Sequence, residues 1–509
     1  MRNRRAVFAS ILGIALPLTA AAQEPLSVID WLTIPPASDR AGQILLEPPV
    51  AETGSGPQIT VTPLATLERP LGLVPAHVTG LPVEMWQASE LDDVLRDLKH
   101  ATATRTPATQ TLLYTLLLAE SLPPAGSDAA EVFLLARLSR LFDLGAVEPA
   151  QALIENVGPE ETPGRFAKWF DATLLSGDEH VSCAALNRAP HLSDDYAARM
   201  FCTLRKGDWS AAAVMLDAAR ALSLMPQAEL FLLDRFLNPD LYELAPPLPE
   251  PNDPDPLTFR VFESIGEPLP TAPLPRPFAV ADLRDVAGWK AQLEAAERLA
   301  RSGAISPNRL LGIYTDRRRA ASGGVWDRVD AVQRLDNALT DGDSDAVAKY
   351  LPPAWEAMQT AGVEVPFATV FAEQLAGLSL TDAAVASLAY RMRLLSPDYE
   401  AAAAGAPAGA QNAFLAGLAR GEPPARGANA QEQAIADGFS NPPQAPDSYQ
   451  ADLDRGQLGD AILRAIADFE TGRAGNWDEL TNALRFFRAV GLEDTARRAA
   501  LQTLILGPG

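Results

Sequence analysis

Lysine is scarce in this chain of 509 residues, which contains only Lys99, Lys168, Lys206, Lys290 and Lys349. Acidic residues outnumber basic ones by 65 to 42, and the formal net charge is −23. A chain this acidic repels nucleic acid and anionic membrane surfaces. The composition therefore excludes a nucleic-acid-binding protein, whereas a cationic partner and divalent ions both stay open.

Catalytic and metal-binding motifs are also missing. The four histidines, His77, His100, His180 and His191, are scattered without the spacing of metal ligands. The chain lacks a G-x-S-x-G elbow, an S-x-x-K motif, a phosphate-binding P-loop and a dinucleotide-binding glycine fingerprint. These absences argue against a hydrolase, an NTPase or a dehydrogenase, and we expect no metal and no cofactor.

One acidic stretch resembles the start of a calcium-binding loop. Asp341, Asp343 and Asp345 occupy the first, third and fifth places, but Ala346 stands where such loops have glycine and Pro352 where they have glutamate. We interpret the stretch as a helix N-cap turn, with calcium binding as the alternative. A run of three arginines, Arg317 to Arg319, is similarly interpreted as the complement of a helix C-terminus rather than as an anion site.

Cysteine occurs only twice, as Cys183 and Cys202, 19 positions apart. A single pair in an oxidising compartment predicts one disulfide, here between two consecutive helices. Closure of such a loop contributes roughly 3 kcal/mol to stability. The spacing does not match the C-x-x-C pattern of redox-active pairs.

Residues 1–22 have the pattern of a secretory signal peptide. Arg2, Arg4 and Arg5 precede an apolar run, and a small-residue tail ends at Ala22. We therefore expect an exported, periplasmic product, and since no later apolar run reaches about 20 residues, no transmembrane segment. Shortly afterwards, Val28, Ile29, Trp31 and Leu32 form an apolar cluster, which is either a docking motif for a partner or a segment that packs on the protein itself.

Proline divides the remainder of the chain. Eleven prolines lie between Pro246 and Pro277, and because proline fixes φ and lacks a donor, no helix can run through this stretch. Helical periodicity stands on both sides of it. We predict a signal peptide (1–22), an irregular segment (23–86), two helical blocks (87–244 and 279–396) joined by a proline-rich strap (245–278), an Ala/Gly/Pro-rich connection (397–447) and a C-terminal helical unit (448–509).

Glycine marks regular turns in the first block. Gly145, Gly177 and Gly207 are 32 and 30 residues apart, which is the length of a helix pair with its turns. The stretches 143–152 and 205–212 resemble the inter-helix turn of tetratricopeptide-like repeats. This resemblance implies an all-α fold, an α-solenoid built from helix pairs in two blocks after an irregular N-terminal segment.

Solenoid surfaces bind proteins or peptides, so we expect a non-enzymatic scaffold, adaptor or chaperone whose partner is another envelope protein or a peptide. The alternative is an enzyme that cleaves cell-wall glycan. Glu120 and Ser121 are similar to the catalytic Glu-Ser pair of soluble lytic transglycosylases, which also contain an α-superhelix. The Gly-Leu-Met-Gln element expected downstream in that family is absent.

Overall fold

The structure is a computed structural model that describes residues 69–101, 106–126, 128–284 and 286–507. The predicted signal peptide and the apolar cluster of Val28, Ile29, Trp31 and Leu32 lie outside these residues. The described ranges contain 25 α-helices and no β-strand, and the helices pack in neighbouring pairs. The predicted all-α helical array is therefore confirmed.

The amino-terminal part is a series of helices in which, from Ala129–Asp143 to Gln227–Leu237, each packs against the next. The turns occur at the predicted glycines, since Gly145, Gly177 and Gly207 have φ values of 81°, 93° and 90°, in the left-handed region that glycine adopts without strain. Asp208 then caps the next helix by accepting a hydrogen bond of 3.1 Å from the N–H of Ala211. These helices are Ala76–Thr79 (α1), Leu91–His100 (α2), Pro107–Leu118 (α3), Ala129–Asp143 (α4), Val147–Val157 (α5), Pro163–Ser176 (α6), Glu179–Arg188 (α7), Tyr196–Arg205 (α8), Trp209–Leu222 (α9) and Gln227–Leu237 (α10).

The proline-rich stretch contains one helix of its own, Pro256–Ser264 (α11), and a short helix, Ala279–Asp282 (α12), follows it. Asp255 starts α11 by accepting a hydrogen bond of 2.6 Å from the N–H of Thr258, and Pro256 occupies the first helical position, where its missing N–H costs nothing. The apolar side of α11 is buried, and α11 packs against α6 and α10. The strap therefore lies against the first helical block.

Charged side chains hold α11 in place. Arg260 donates hydrogen bonds to Glu263 and, at 3.0 Å, to Glu179 of α7. Arg284 donates to the same Glu263 at 2.7 Å. Because Glu179 is almost fully buried, loss of Arg260 would weaken the compensation of a buried charge.

The second half continues as helix pairs, with one difference from the periodic pattern. Leu283, Val286, Trp289 and Leu293 predict one helix from 280 to 301, but this prediction is wrong. The helix α12 ends at Asp282, α13 starts at Trp289, and Val286 is 70% exposed. Gln292 donates hydrogen bonds to the carbonyl groups of Arg284 and Ala287 and so stabilises the break. The helices are Trp289–Arg301 (α13), Pro307–Thr315 (α14), Val325–Thr340 (α15), Ser344–Ala361 (α16), Glu364–Ala376 (α17) and Ala383–Leu394 (α18).

Short helices rich in small residues follow. A Cβ atom at Gly438 would lie 2.9 Å from Cβ of Leu484, so glycine permits the close approach of two helices there. Apolar residues at helical spacing begin at Leu458, Leu480 and Leu492 and predict three helices in the C-terminal unit, and a helix is present at each of these three places. The helices are Tyr399–Ala403 (α19), Ala410–Ala419 (α20), Ala430–Gly438 (α21), Asp447–Asp454 (α22), Leu458–Arg473 (α23), Trp477–Ala489 (α24) and Glu493–Leu506 (α25).

The last helices pack against the first ones, because α23 contacts α2 and α3, and α25 contacts α3. Glu470 of α23 accepts hydrogen bonds from the N–H of Thr106 at 3.1 Å and from the hydroxyl of Thr109 at 2.8 Å. These contacts bring the start of α3 beside the ends of α23 and α25, where a cavity lies.

Candidate functional site

A cavity of about 690 Å³ lies where the early, middle and late parts of the chain meet. One face of α3 forms one wall, and the turn between α13 and α14 forms another. The remaining walls come from the start of α17 and from the ends of α23 and α25. We call this space the arginine cavity, after Arg301, Arg473 and Arg498 in its walls. Its volume is typical of sites that hold a small ligand or a short segment of one, about 300–1,000 Å³.

The α3 wall is formed by residues at helical spacing: Pro107, Gln110, Thr111, Tyr114 and Leu118. Tyr114 joins this wall to the α13–α14 turn, because its hydroxyl donates a hydrogen bond of 2.9 Å to the carbonyl of Ser302. Beside it, Gly303 has a φ of +69°, and a Cβ atom there would lie 3.4 Å from the Tyr114 ring. Glycine at this position keeps the turn close to α3.

The three arginines are only loosely paired with carboxylates. Arg301 is 3.9 Å from Glu297, Arg473 is 3.8 Å from Glu470, and Arg498 is 3.7 Å from Asp494. These are the three longest ion pairs that the described part of the chain contains. The cavity therefore holds three guanidinium groups whose nearest carboxylates are not in close contact.

Each of those carboxylates makes shorter hydrogen bonds to other groups. Glu297 accepts from Arg328 at 2.7 and 2.6 Å and from the Tyr314 hydroxyl at 2.7 Å. Glu470 accepts from Thr106 and Thr109, as described above, and Asp494 accepts from the hydroxyl of Tyr399 at 2.9 Å. Both oxygens of Glu297 and one oxygen each of Glu470 and Asp494 thus bond to other groups, and none of the three carboxylates forms a close pair with a cavity arginine.

Two of these donors are buried. The Nε atoms of Arg473 and Arg498 have no hydrogen-bond partner, and the Arg473 side chain is only 10% exposed. The Nη2 atom of Arg473 does donate to the carbonyl of Gly507 at 3.1 Å, which fixes the guanidinium at the cavity wall. Buried donors are nearly always paired in proteins, so these two guanidinium groups in the cavity walls are exceptions.

A carboxyl group also lines the cavity. Burial raises the pKa of Glu364, at the first position of α17, above its ordinary value. A carboxyl that is costly to ionise adds less negative charge to the cavity than an exposed one would. Among the residues that line the cavity, three arginines therefore stand beside one glutamate.

The disulfide predicted from the sequence is present. The sulfur atoms of Cys183 and Cys202 are bonded and join α7 to α8, and both residues are buried. They do not line the arginine cavity. The pair is therefore part of the helical framework and not of the candidate site.

Glu120 lies just after α3, where the chain forms short bridges with residues 71–74. Its N–H donates to the carbonyl of Val74 at 2.9 Å, and its backbone is in contact with Gly72. It is not a wall residue of the arginine cavity. No contact of its side chain supports the geometry of a glycosidase acid.

The acidic stretch at residues 341–345 is the N-cap turn that we expect from the sequence. Asp343 accepts hydrogen bonds from the N–H groups of Asp345 and Ala346 at 3.1 and 3.0 Å. Within the described ranges, no group of three or more His, Cys, Asp or Glu side chains is arranged to hold a metal ion.

In the arginine run, Arg317 and Arg319 pair with Asp316 and Asp330 after the end of α14.

Among the described helices, none is both long enough and apolar enough to cross a lipid bilayer. Comparison of the chain with models of protein families, with curated proteins and with solved structures gave no match.

Proposed function

We propose that this protein is an exported, non-enzymatic helical scaffold that binds another envelope protein or a peptide, and that part of this partner occupies the arginine cavity. The observation that carries the proposal is the set of spare guanidinium donors in a cavity of about 690 Å³. Stacked helix pairs commonly present such surfaces to protein ligands.

Export is supported by two independent features. Residues 1–22 have the arginines, apolar run and small-residue tail of a signal peptide. The bonded pair of Cys183 and Cys202 fits an oxidising compartment such as the periplasm. Fractionation of producing cells tests this part, because a reduced, cytoplasmic protein that keeps residues 1–22 would contradict it.

A cavity-filling substitution tests the binding function. Thr111 lines the cavity and Thr115 on the same helix does not, although each donates to the carbonyl four residues earlier at 2.9 Å. Thr111→Trp should abolish capture of a partner from envelope extract, whereas Thr115→Trp should retain it. Equal capture by both variants would refute the assignment of binding to this cavity.

The glycan-cleaving alternative depends on one carboxylate and is tested separately. If the protein is a scaffold, Glu120→Gln leaves peptidoglycan turnover by the purified protein at the buffer level, as for the wild type. Turnover that the wild type shows and Glu120→Gln lacks would replace the scaffold proposal with the enzyme.

A further inference from the structure

We propose that the arginine cavity binds a carboxylate carried by an apolar body. This inference deepens the proposed function, and it rests on that function only for the claim that the carboxylate belongs to a protein or peptide partner. It is based on the long ion-pair distances of Arg301, Arg473 and Arg498 and on the apolar side chains in the surrounding walls.

The charged residues that line the cavity are mostly basic, although the whole chain is acidic. The protein has a net charge of −23, and most of its arginines lie close to a carboxylate. The three cavity arginines are instead 3.7–3.9 Å from carboxylates that also accept from other donors. An anion that enters the cavity therefore gains three guanidinium groups without displacing a tight internal ion pair.

The geometry of a guanidinium favours planar anions. Arginine presents N–H donors in a flat fork that matches the two oxygens of a carboxylate, and such paired bonds are roughly twice as strong as neutral ones. At Arg473 the Nη2 donor is used by Gly507, whereas the Nε donor is free. At Arg498 the Nε donor is likewise free. The guanidinium groups of Arg473 and Arg498 are therefore not fully paired within the protein, and a carboxylate is the anion whose shape suits them.

The remaining walls select the rest of the ligand. Apolar side chains of Leu118, Ile305, Val365 and Leu506 face the same space. A compact, highly charged anion such as phosphate would leave these side chains in contact with water and would be repelled by the surrounding acidic protein. A single carboxylate on an apolar body satisfies both parts of the cavity.

Two sources supply this chemistry: the terminal carboxylate of a peptide chain with apolar last residues, and a small organic acid. The probes are a five-residue apolar peptide with a free carboxyl terminus, the same peptide amidated, hexanoate, and inorganic phosphate. Each is titrated by calorimetry into the full chain and into Arg473→Gln, Arg301→Gln and Arg188→Gln.

Arg301→Gln guards against a folding defect, because the Arg301 side chain is 50% exposed. Arg188→Gln is the matched control, since it removes the same charge from an exposed position in α7. Loss of one charged hydrogen-bond donor should weaken binding by roughly 10- to 100-fold in Arg473→Gln, and Arg301→Gln should weaken it in the same direction. Arg188→Gln should bind as the wild type does.

Tight binding of the free-acid peptide, with at least about tenfold weaker binding of the amide, supports the inference with a peptide as the source. Binding of hexanoate alone supports it with a small acid as the source. Four results would overturn the inference. They are equal binding of the acid and amide peptides without hexanoate binding, wild-type affinity in both Arg473→Gln and Arg301→Gln, tighter binding of phosphate than of the carboxylate probes, and no binding of any probe. The two proposals can fail separately. If Thr111→Trp loses partner capture but the acid and amide peptides bind equally, the scaffold proposal stands and the carboxylate site is refuted. If hexanoate binding depends on the cavity arginines but no partner is captured, only the carboxylate site is supported.

Discussion

The backbone N–H of Ala108 donates a hydrogen bond of 2.8 Å to Oε1 of Gln502, a residue 394 positions later in the chain. Both residues are buried, with 3% and 1% exposure. The first N–H groups of a helix have no partner within the helix, so a side chain from α25 here completes the start of α3. One hydrogen bond thus joins the first part of the array to the last.

Replacement of that acceptor should destabilise the protein. Gln502→Leu leaves the N–H of Ala108 buried and unpaired, and we expect the free energy of unfolding to fall by about 1–3 kcal/mol. Urea denaturation measures the change. Gln450→Leu is the control, because Gln450 is exposed and bonds only locally to Asp454. A loss in Gln502→Leu no larger than in this control would show that the bond contributes little.

Loss of the buried ion pair at Glu297 should lower the free energy of unfolding more than loss of the Gln502 hydrogen bond. Glu297→Gln leaves the guanidinium of Arg328 without its counter-charge beside α13, and removal of one partner of a buried pair costs roughly 3–5 kcal/mol. Thermal and urea unfolding provide the measurement. Glu294→Gln, on the same helix but half exposed and paired loosely with Lys290, should change stability by less than about 1 kcal/mol.

The stability of the protein should depend on pH through Asp171. Burial, together with the nearby Asp255 and Asp195, raises the pKa of this carboxyl in α6 from 3.8 to about 7. Between these two values the folded state keeps a proton that the unfolded state releases, so the free energy of unfolding falls as pH rises from about 4 to about 7.

Asp171→Asn removes this titration. We expect the variant to be more stable than the wild type at pH 8 and similar to it near pH 4, measured as the unfolding midpoint in urea across the pH range. Asp217→Asn, at an exposed position in α9, serves as the control and should leave the pH profile unchanged. An unaltered profile in Asp171→Asn would contradict the raised pKa.

The disulfide gives a test of the helical framework. The double variant Cys183→Ala, Cys202→Ala should lose roughly 3 kcal/mol of stability, because the unfolded chain regains the freedom of a loop of about 20 residues. A reducing agent should lower the melting temperature of the wild type and leave that of the variant unchanged. Recovery of both cysteines as free thiols from the exported protein would contradict the bond.

Local patterns in the sequence predict most of the framework. Regularly spaced glycines predict the helix pairs at Gly145, Gly177 and Gly207, and apolar stripes predict α23 to α25, because these features depend on nearby residues. The break between α12 and α13 is harder to predict from the sequence. Its stabilising contacts come from the side chain of Gln292, which a periodicity of apolar residues does not represent.

The arginine cavity could not be predicted in this way. Arg301, Arg473 and Arg498 belong to three helices, and none of them is part of a run of three basic residues such as Arg317 to Arg319. These arginines differ from others because their neighbouring carboxylates bond elsewhere, Glu470 to Thr106 and Glu297 to Arg328. Such tertiary contacts cannot be read from the sequence. The helical spacing of Gln110, Tyr114 and Leu118 marks a face of α3 but not what that face encloses.

The contact between α3 and the last described helices joins residues that are far apart in the chain. Synthesis delivers α3 long before its covering residues, since Glu470 and Gln502 follow their partners by 364 and 394 positions. Until α23 and α25 emerge, the start of α3 remains open to water or to a chaperone. Removal of α25 by a protease would therefore take away the acceptor of the Ala108 N–H and uncover the start of α3.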